Sequence, residues 1–290
     1  MVNDLVANAS RATLRPVGAY LDVILQAHRA REAADRRDLG TLVAQAQSCP
    51  PCRGFAAALR TGPIAAAAPK REDLSISHIS VIAEIKRRSP SKGLLAPDLV
   101  AGLVAKAYAA AGATCLSVLT DGEFFDGSPA DLAEARAAVD LPVLRKDFTV
   151  GPADVCDARL MGADAVLLIV SALPPGQLVD LVRLAARLGI DALVEVHDEA
   201  EAEAALAAGA QLIGVNQRDL RTFEVDPDRA ARVAARIPGT VTRVAESGVR
   251  NAADVARLAG AGFDAVLVGE ALVTAVDPGA ALAALLGGAA

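Results

Sequence analysis

MGADAVLLIV, residues 161–170, joins the glycine that ends an alanine-rich helical segment to an apolar run with the composition of a buried parallel strand. A glycine at this place is typical of a helix C-cap, because it adopts the left-handed backbone conformation without strain. The same succession of helical segment, glycine and apolar run recurs at Gly112, Gly189, Gly209 and Gly262. The repeat predicts a series of parallel strands joined by helices.

Three further apolar runs bring the number of predicted strands to eight: ISVIAEI (79–85), LPVLRKD (141–147) and PGTVTRVAE (238–246). Amphipathic helices are predicted between the strands, for example over residues 129–139, 177–188 and 200–208. Eight such units predict the α/β class and, within it, a (β/α)8 TIM barrel rather than a doubly wound sheet. No G-x-G-x-x-G follows a predicted strand, which argues further against a dinucleotide-binding sheet.

The first part of the chain lacks this repeat and is predicted to be an extension of the barrel rather than an independent domain. We expect an N-terminal helical extension, packed on the barrel, over residues 1–78 and a catalytic barrel over residues 79–290. Apolar positions at helical spacing predict a helix over residues 20–37, followed by a second short helix and loops up to about residue 70. Residues 1–15 are expected to be disordered.

Cys49 and Cys52 form a CPPC motif, a spacing found in redox and zinc sites. No second CxxC and no nearby histidine accompany the motif, so we predict a surface loop. Cys115 and Cys156 lie in apolar surroundings and are predicted to be small core residues. The histidines show no metal-binding spacing, and no metal site is predicted.

Composition and charge exclude several classes of partner. The chain has 290 residues, a formal net charge of −6 and only 3% aromatic residues, which provides neither the basic surface nor the stacking platforms of a nucleic-acid-binding protein. The apolar runs are too short to span a membrane, and the first residues lack the apolar core of a signal peptide. We therefore expect a cytoplasmic protein, a monomer or weak oligomer, without membrane or nucleic-acid partners.

Polar and ionisable side chains recur at the ends of five predicted strands, on the face that points into the barrel. In ISVIAEI, for example, Glu84 and the following Lys86 share a face with Ile82. The side chains concerned are Glu84, Lys86, Lys146, Glu195, Asn216, Arg218 and Glu246. One of them alone would be interpreted as a satisfied ion pair at the barrel mouth. Because buried charges cost several kcal/mol each unless paired, their convergence predicts a site with perturbed pKa values at the end of the barrel that carries catalysis.

Two loops after the seventh and eighth strands predict a phosphate site. Ser247-Gly248 precedes a predicted helix, and Gly269-Glu270 begins another. Small residues and free helix N-terminal N–H groups at this place bind phosphate in barrels of this type. The side chain of Glu270 is expected to point away while its N–H contributes, and Lys86 and Arg218 are expected to balance the charge.

A resemblance to the indole-3-glycerol-phosphate synthase family is carried by eight segments: IAEIKRRSPSKG, LSVLTDGEFFDGS, PVLRKDF, LLIV, LVEVHDEAE, IGVNQRDLRTFEVD, VAESGVR and VLVGEALV. They cover essentially the whole chain from Ile79 onward, and EIKRRSPS and RKDF are specific to the family. The resemblance implies a carbon–carbon lyase of tryptophan biosynthesis. It would convert 1-(2-carboxyphenylamino)-1-deoxyribulose 5-phosphate to indole-3-glycerol phosphate, with loss of carbon dioxide and water and without a metal or organic cofactor.

The same resemblance implies roles for the matching residues. Lys146 would be the general acid that polarises the ketone, and Glu195 the acid–base partner in the later dehydration. Lys86 would contact the substrate carboxylate or phosphate and share the acid role. Glu84, Asn216 and Glu246 would position hydroxyls and keep the lysines charged.

The remaining matches concern binding of the substrate. Ser89 and Pro90 would help to close the loop after the first strand. The phosphate would be held by Arg218, Ser247, Gly248, Gly269 and the backbone of Glu270. The apolar pocket for the aromatic ring would consist of Phe125, Phe148, Leu167 and Leu220. Gln217 departs from the small residue common in the family, and this departure is expected not to touch the chemistry.

Three alternatives remain at this level. Lys146 could instead be the Schiff-base nucleophile of an aldolase-like barrel, a role that favours a depressed lysine pKa. A sugar-phosphate isomerase of the same fold is disfavoured, because Glu84, Lys86, Lys146 and Glu195 are not the usual acid–base pair of such isomerases. A catalytically silent binding barrel would not need charged groups at five strand ends.

Overall fold

Eight parallel strands close into a barrel in the computed structural model, which describes residues 18–62, 79–219 and 224–287. The strands are β1 (Ser80–Ile85), β4 (Cys115–Leu119), β5 (Val143–Lys146), β6 (Ala165–Ile169), β7 (Asp191–Val196), β8 (Leu212–Asn216), β9 (Thr242–Glu246) and β10 (Ala265–Val268). Each strand pairs with the next along the chain, and β1 pairs with both β4 and β10 to close the ring. The predicted (β/α)8 TIM barrel is thereby confirmed.

Two short strands lie outside the barrel. β2 (Arg88–Ser89) and β3 (Gly93–Leu94) form an antiparallel hairpin directly after β1. The loop that was expected to close after the first strand therefore contains a hairpin, and its Ser89 and Pro90 line the cavity at the barrel mouth.

Helices occupy the predicted intervals, with ends that differ from the predicted ones by at most three residues. They are α1 (Gly18–Ala34), α2 (Leu39–Gln47), α3 (Phe55–Thr61), α4 (Ala101–Ala110), α5 (Gly122–Phe125), α6 (Pro129–Ala138), α7 (Pro152–Leu160), α8 (Pro175–Leu188), α9 (Glu199–Ala207), α10 (Arg229–Ala234), α11 (Ala252–Gly260), α12 (Glu270–Val273) and α13 (Pro278–Leu285). A single 3-10 turn, Val170–Ala172, follows β6 within the described residues. None of the helices in the described ranges is long and apolar enough to cross a membrane.

Side chains of the barrel strands alternate between two apolar clusters. Ile82, Leu144, Leu193 and Val244 point inward and form part of one cluster that fills the barrel. Their strand neighbours face the surrounding helices and form the other cluster. This period of two is what places the strand-end residues on the inner face.

The N-terminal helices contact both ends of the barrel. Phe55 and Leu59 of α3 belong to the interior cluster, and the Leu59 carbonyl accepts a hydrogen bond of 3.0 Å from Ser80 Oγ at the start of β1. α3 therefore covers the end opposite the strand C-termini, whereas Leu21 and Ile24 of α1 line the mouth at the other end. The division of the chain at residue 78 falls outside the described residues and stays a prediction.

The predicted helix over residues 20–37 is wrong at its end, since α1 stops at Ala34. Asp38 is the N-cap of a new helix, with its carboxylate accepting a hydrogen bond of 2.7 Å from the Thr41 N–H. The segment predicted to hold one short helix contains α2 and α3. The CPPC motif is the loop between them, with both prolines exposed and both thiols free.

Candidate active site

A cavity of about 600 Å³ opens at the C-terminal ends of the barrel strands. This volume lies in the range of small-molecule sites. Each predicted site residue that the structure describes lines the cavity: Glu84, Lys86, Ser89, Pro90, Phe125, Lys146, Phe148, Leu167, Glu195, Asn216, Arg218, Glu246, Ser247, Gly248, Gly269 and Glu270. Leu220 lies outside the described residues.

Lys146 is the centre of the polar side of the cavity. Its Nζ donates hydrogen bonds of 2.8 Å to Glu195 Oε2 and 2.7 Å to Glu246 Oε2. Asn216 Nδ2 donates a further bond of 2.9 Å to Glu195 Oε1. Lys146, Asn216 and Glu246 are the last residues of β5, β8 and β9, and Glu195 is the penultimate residue of β7, so that all four lie at the same end of the barrel. Asn216 and Glu246 are direct partners in the strand register.

The two carboxylates around Lys146 have different environments. Burial raises the pKa of Glu195, but Lys146 and further donors outweigh it and lower the pKa to about 2. Burial also raises the pKa of Glu246, to about 7, because Lys146 offsets only part of that cost. The negative charges of Glu195 and Glu84 also raise the pKa of Glu246. In addition, Glu246 Oε1 is buried and has no hydrogen-bond partner among the described residues. Glu195 therefore stays ionised to a lower pH than Glu246.

The ammonium of Lys146 is stabilised as a cation. Burial lowers its pKa, but the fields of Glu195, Glu246 and Glu84 outweigh burial, and the pKa is raised above the ordinary lysine value. A lysine held in this form is a proton donor and a poor amine nucleophile at neutral pH.

Glu84 and Lys86 form a second ion pair at the mouth. Lys86 Nζ donates a bond of 2.6 Å to Glu84 Oε1, and Ser117 Oγ donates one of 3.3 Å to Glu84 Oε2. Gly269 leaves the space for this pair, because a Cβ there would overlap Glu84 Oε1 and lie 3.1 Å from Lys86 Nζ. Gly214 does the same for Glu246, whose Oε1 occupies the place of the missing side chain.

The loop after β9 has an unusual backbone. Ser247 and Gly248 both have positive φ, 65° and 74°, and a non-glycine residue in this region is strained. Gln217 is fully buried and its Nε2 donates a bond of 2.7 Å to the Ser247 carbonyl. The longer side chain of Gln217 therefore holds this loop, while the expectation that the departure does not touch the chemistry stays a prediction.

The side chain of Glu270 does not point away from the proposed phosphate ligands. Its carboxylate lies 3.8 Å from the guanidinium of Arg218 and 3.8 Å from the ammonium of Lys92. The expectation that the side chain points away is wrong, because Arg218 and Lys92 attract the carboxylate.

The apolar side of the cavity contains two rings. Phe125 and Phe148 lie with centroids 6.1 Å apart and planes tilted by 41°. Leu167, at the end of β6, lines the same side. The hairpin above is anchored at its base by Arg87, whose two nitrogens each donate a bond of 2.7 Å to the carboxylate of Asp131 on α6.

A sequence model described as indole-3-glycerol phosphate synthase matches residues 21–285. The chain belongs to the indole-3-glycerol phosphate synthase family. A protein of that name from Mycobacteroides abscessus is 49% identical over 93% of this chain and 94% of its own length. Another from a Parafrankia species is 56% identical over 71% of this chain and 76% of its own.

The solved structure of a 3-hexulose-6-phosphate synthase shares the fold of this member of the indole-3-glycerol phosphate synthase family. It has a TM-score of 0.55 at 17% sequence identity and covers 72% of this chain and 99% of its own. At this identity the likeness concerns the barrel alone.

A buried cluster beside the cavity was missed by the sequence analysis. His28 Nε2 on α1 lies 3.0 Å from Asp121 Oδ2 and 3.9 Å from Asp147 Oδ1, and its ring packs on Phe148 with centroids 5.4 Å apart. Among the described residues these three place metal-ligand atoms within 4.8 Å of one another.

The negative charges of the two aspartates in this His28 cluster are already paired with arginines. Arg31 lies 3.5 Å from Asp121 Oδ2, and Arg145 donates a bond of 3.0 Å to Asp147 Oδ2. The cluster therefore fastens α1 to the barrel mouth and backs the Phe148 ring, and it lacks the charge surplus that would attract a cation. No sequence signal reveals it, since His28 and Asp121 are 93 residues apart.

Proposed function

We propose that the chain closes the indole ring of 1-(2-carboxyphenylamino)-1-deoxyribulose 5-phosphate, with loss of carbon dioxide and water, to give indole-3-glycerol phosphate for tryptophan biosynthesis. The observation that supports the mechanism most directly is the buried Lys146 ammonium between Glu195 and Glu246. Ring closure places negative charge on a ketone oxygen, and a preorganised ammonium in a partly dry cavity both stabilises that charge and supplies the proton.

Lys146 is proposed as the general acid for the ketone. Attack of the anilino ring carbon on the carbonyl carbon forms the carbon–carbon bond as the ketone oxygen takes the proton. Loss of carbon dioxide then restores the aromatic ring. Glu195 is proposed as the acid–base partner that assists departure of the resulting hydroxyl and removal of the ring-methylene proton.

The other polar residues are proposed to orient the substrate. Lys86 is placed to meet the substrate carboxylate or phosphate and to share the acid role, with Glu84 keeping it charged. Asn216 and Glu246 are proposed to position hydroxyls and to hold Lys146. Such positioning increases the rate of ring closure, because it holds the flexible substrate in the bent conformation that the reaction requires.

Binding of the two ends of the substrate is assigned to opposite sides of the cavity. The phosphate is proposed to meet the Ser247-Gly248 and Gly269-Glu270 backbone and the guanidinium of Arg218, displacing the Glu270 carboxylate from its 3.8 Å contact. The aromatic ring is proposed to lie against Phe125, Phe148 and Leu167, with Leu220 completing the pocket. Ser89 and Pro90 on the hairpin would close over it.

The Schiff-base alternative is disfavoured by charge. An imine-forming lysine needs a neutral amine, whereas Lys146 has a raised pKa because of its carboxylate neighbours. Steady-state turnover, followed by indole absorbance, tests the proposal: pure, folded protein without turnover would favour a silent barrel. Borohydride in the presence of substrate supplies the second test, because a covalent adduct at Lys146 would refute its role as acid alone.

We further propose that the protein acts in the cytoplasm as a monomer or weak oligomer. The absence of a membrane-crossing helix in the described ranges is compatible with that location. Sedimentation of the purified protein at micromolar concentration would measure its state of association.

A further inference from the structure

His197 follows β7 directly and lies behind the catalytic carboxylate, outside the residues that line the cavity. Its Nε2 is 3.5 Å from Glu195 Oε1, and its Nδ1 is 3.1 Å from Glu201 Oε2. The side chains of His197 and Glu201 are 13% and 20% exposed, against 3% for Glu195. A line of two carboxylates and one imidazole thus runs from the buried site toward the rim.

The imidazole is fixed by the first turn of α9. Glu201 Oε2 accepts a bond of 2.8 Å from the His197 backbone N–H in addition to the ring contact. The Glu201 N–H in turn donates 2.8 Å to Asp198 Oδ1, the N-cap of the helix. With Nδ1 held in this way, Nε2 is directed toward Glu195, and it is buried without a hydrogen-bond partner among the described residues.

The charges around the ring favour its protonated form. Burial lowers the pKa of His197, but the hydrogen bond to Glu201 and the fields of Glu195, Glu201 and Glu246 outweigh it, so the pKa is raised above 6.5. The raised pKa favours the imidazolium form, which has one N–H directed toward each carboxylate.

The proton balance of the reaction requires a supply of protons to Lys146. This requirement rests on the proposed function. The substrate carboxylate leaves as neutral carbon dioxide. Lys146 protonates the ketone oxygen, a second proton leaves with the departing hydroxyl as water, and one proton is returned from the ring methylene. Each turnover therefore consumes one proton, and Lys146 must be recharged.

We propose that His197 is the proton reserve of the active site and recharges Lys146 through Glu195. When Lys146 has given up its proton, its amine is neutral and no longer lowers the pKa of Glu195. Burial then favours the protonated form of the Glu195 carboxyl group. The N–H bond at His197 Nε2 breaks as an O–H bond forms on Glu195. This proton is taken up on Oε1, 3.5 Å from His197 Nε2, whereas Lys146 Nζ lies 2.8 Å from Oε2, so the carboxyl group must turn to present the O–H bond to the amine. The O–H bond then breaks as an N–H bond forms on Lys146 Nζ. The neutral imidazole keeps its Nδ1–H on Glu201 and regains a proton from water through Glu195 once product has left. His197 is a positioning residue in this scheme, because it acts through Glu195 and does not touch the substrate.

His197→Gln tests this role, because glutamine keeps a donor of similar size and cannot titrate in this range. We expect kcat to fall about tenfold or more with KM little changed, and the neutral-range ionisation of kcat to disappear. Added imidazole should restore kcat in proportion to its concentration.

Glu201→Gln, a second variant that keeps the histidine, should move the same ionisation to lower pH because the ring loses a carboxylate. Glu199→Gln, on the exposed face of the same helix, is the control and should match the wild type.

The outcomes separate this proposal from the proposed function. Unchanged kcat and pH profile in His197→Gln, with normal wild-type turnover, would refute the proton reserve and leave ring closure intact. A lower kcat without imidazole rescue and with the wild-type pH profile would show a purely structural role and also refute it. If His197→Gln fails to fold, the shift in Glu201→Gln decides, and an unmoved ionisation overturns the proposal. Absence of turnover in the wild type would refute the proposed function itself.

Discussion

Lys146 Nζ donates a 2.7 Å hydrogen bond to Glu246 Oε2, while the other oxygen of that carboxylate is buried without a hydrogen-bond partner among the described residues. The carboxyl group is therefore only half satisfied as an anion. Burial raises its pKa to about 7, so near neutral pH it exchanges a proton at the centre of the site. Its neighbour Glu195, with a donor at each oxygen, stays ionised.

Glu246 should make the protein less stable as pH rises from about 4.5 to about 7. The folded protein binds this proton more tightly than the unfolded chain, whose glutamate has a pKa of 4.5. In that window the folded state carries more protons, and the free energy of unfolding falls with rising pH. Glu246→Gln removes this contribution.

Urea unfolding at about pH 5 and about pH 7.5 measures the effect. The wild type should lose stability relative to Glu246→Gln between the two values. Glu203→Gln, on the exposed face of α9, is a matched control and should follow the wild type. A constant difference between wild type and Glu246→Gln at both pH values would contradict the raised pKa.

Lys146→Ala should abolish nearly all turnover while the protein remains folded. The two carboxylates lose their cation, but Glu246 can take up a proton at little further cost and so relieve their repulsion. Lys106→Ala, an exposed lysine on α4, is the control and should retain wild-type activity. If Lys146→Ala keeps more than about a tenth of the rate, which equals ~1.4 kcal/mol of barrier, another group donates the proton.

Arg218→Ala should act mainly on KM. A guanidinium–phosphate contact is worth roughly 1.5–3 kcal/mol, so the KM should rise about tenfold or more with a smaller change in kcat. The rise of KM with ionic strength should also become shallower in the variant. Arg236→Ala, which changes an exposed arginine in the turn after α10, is the control. An unchanged KM with the wild-type salt dependence is incompatible with a phosphate role for Arg218.

The barrel and most of its mouth could be predicted from local patterns. The repeated glycine before five of the eight apolar runs marks the start of a strand. The period of two along a strand places Glu84, Lys146, Glu195 and Glu246 inside. These are properties of neighbouring residues in the chain. Because the pattern repeats over only a few neighbouring residues, it predicts the strand ends and therefore the residues that line the cavity.

Contacts between distant segments could not be predicted in this way. His28 meets Asp121 across 93 residues, and Arg87 meets Asp131 across 44. The hydrogen bond from Gln217 to Ser247, 30 residues further along the chain, is likewise absent from any local pattern. The orientation of Glu270 depends on two cations from other loops, and no periodicity of its own segment encodes them.

Gly214 offers a test of how tightly the strand ends are packed. A Cβ at this position would overlap Glu246 Oε1 and lie 3.2 Å from Leu193 Cδ1. Gly214→Ala should therefore displace the Glu246 carboxylate from Lys146, lowering kcat strongly and destabilising the fold by about 1–3 kcal/mol through overpacking. Gly176→Ala, in the first turn of α8 with no atom within 4 Å of the added Cβ, is the matched control and should leave activity and stability unchanged or slightly improved. Turnover and urea unfolding of both variants decide the matter. If Gly214→Ala behaves like Gly176→Ala, the close approach of Glu246 to β8 does not position the carboxylate that holds Lys146.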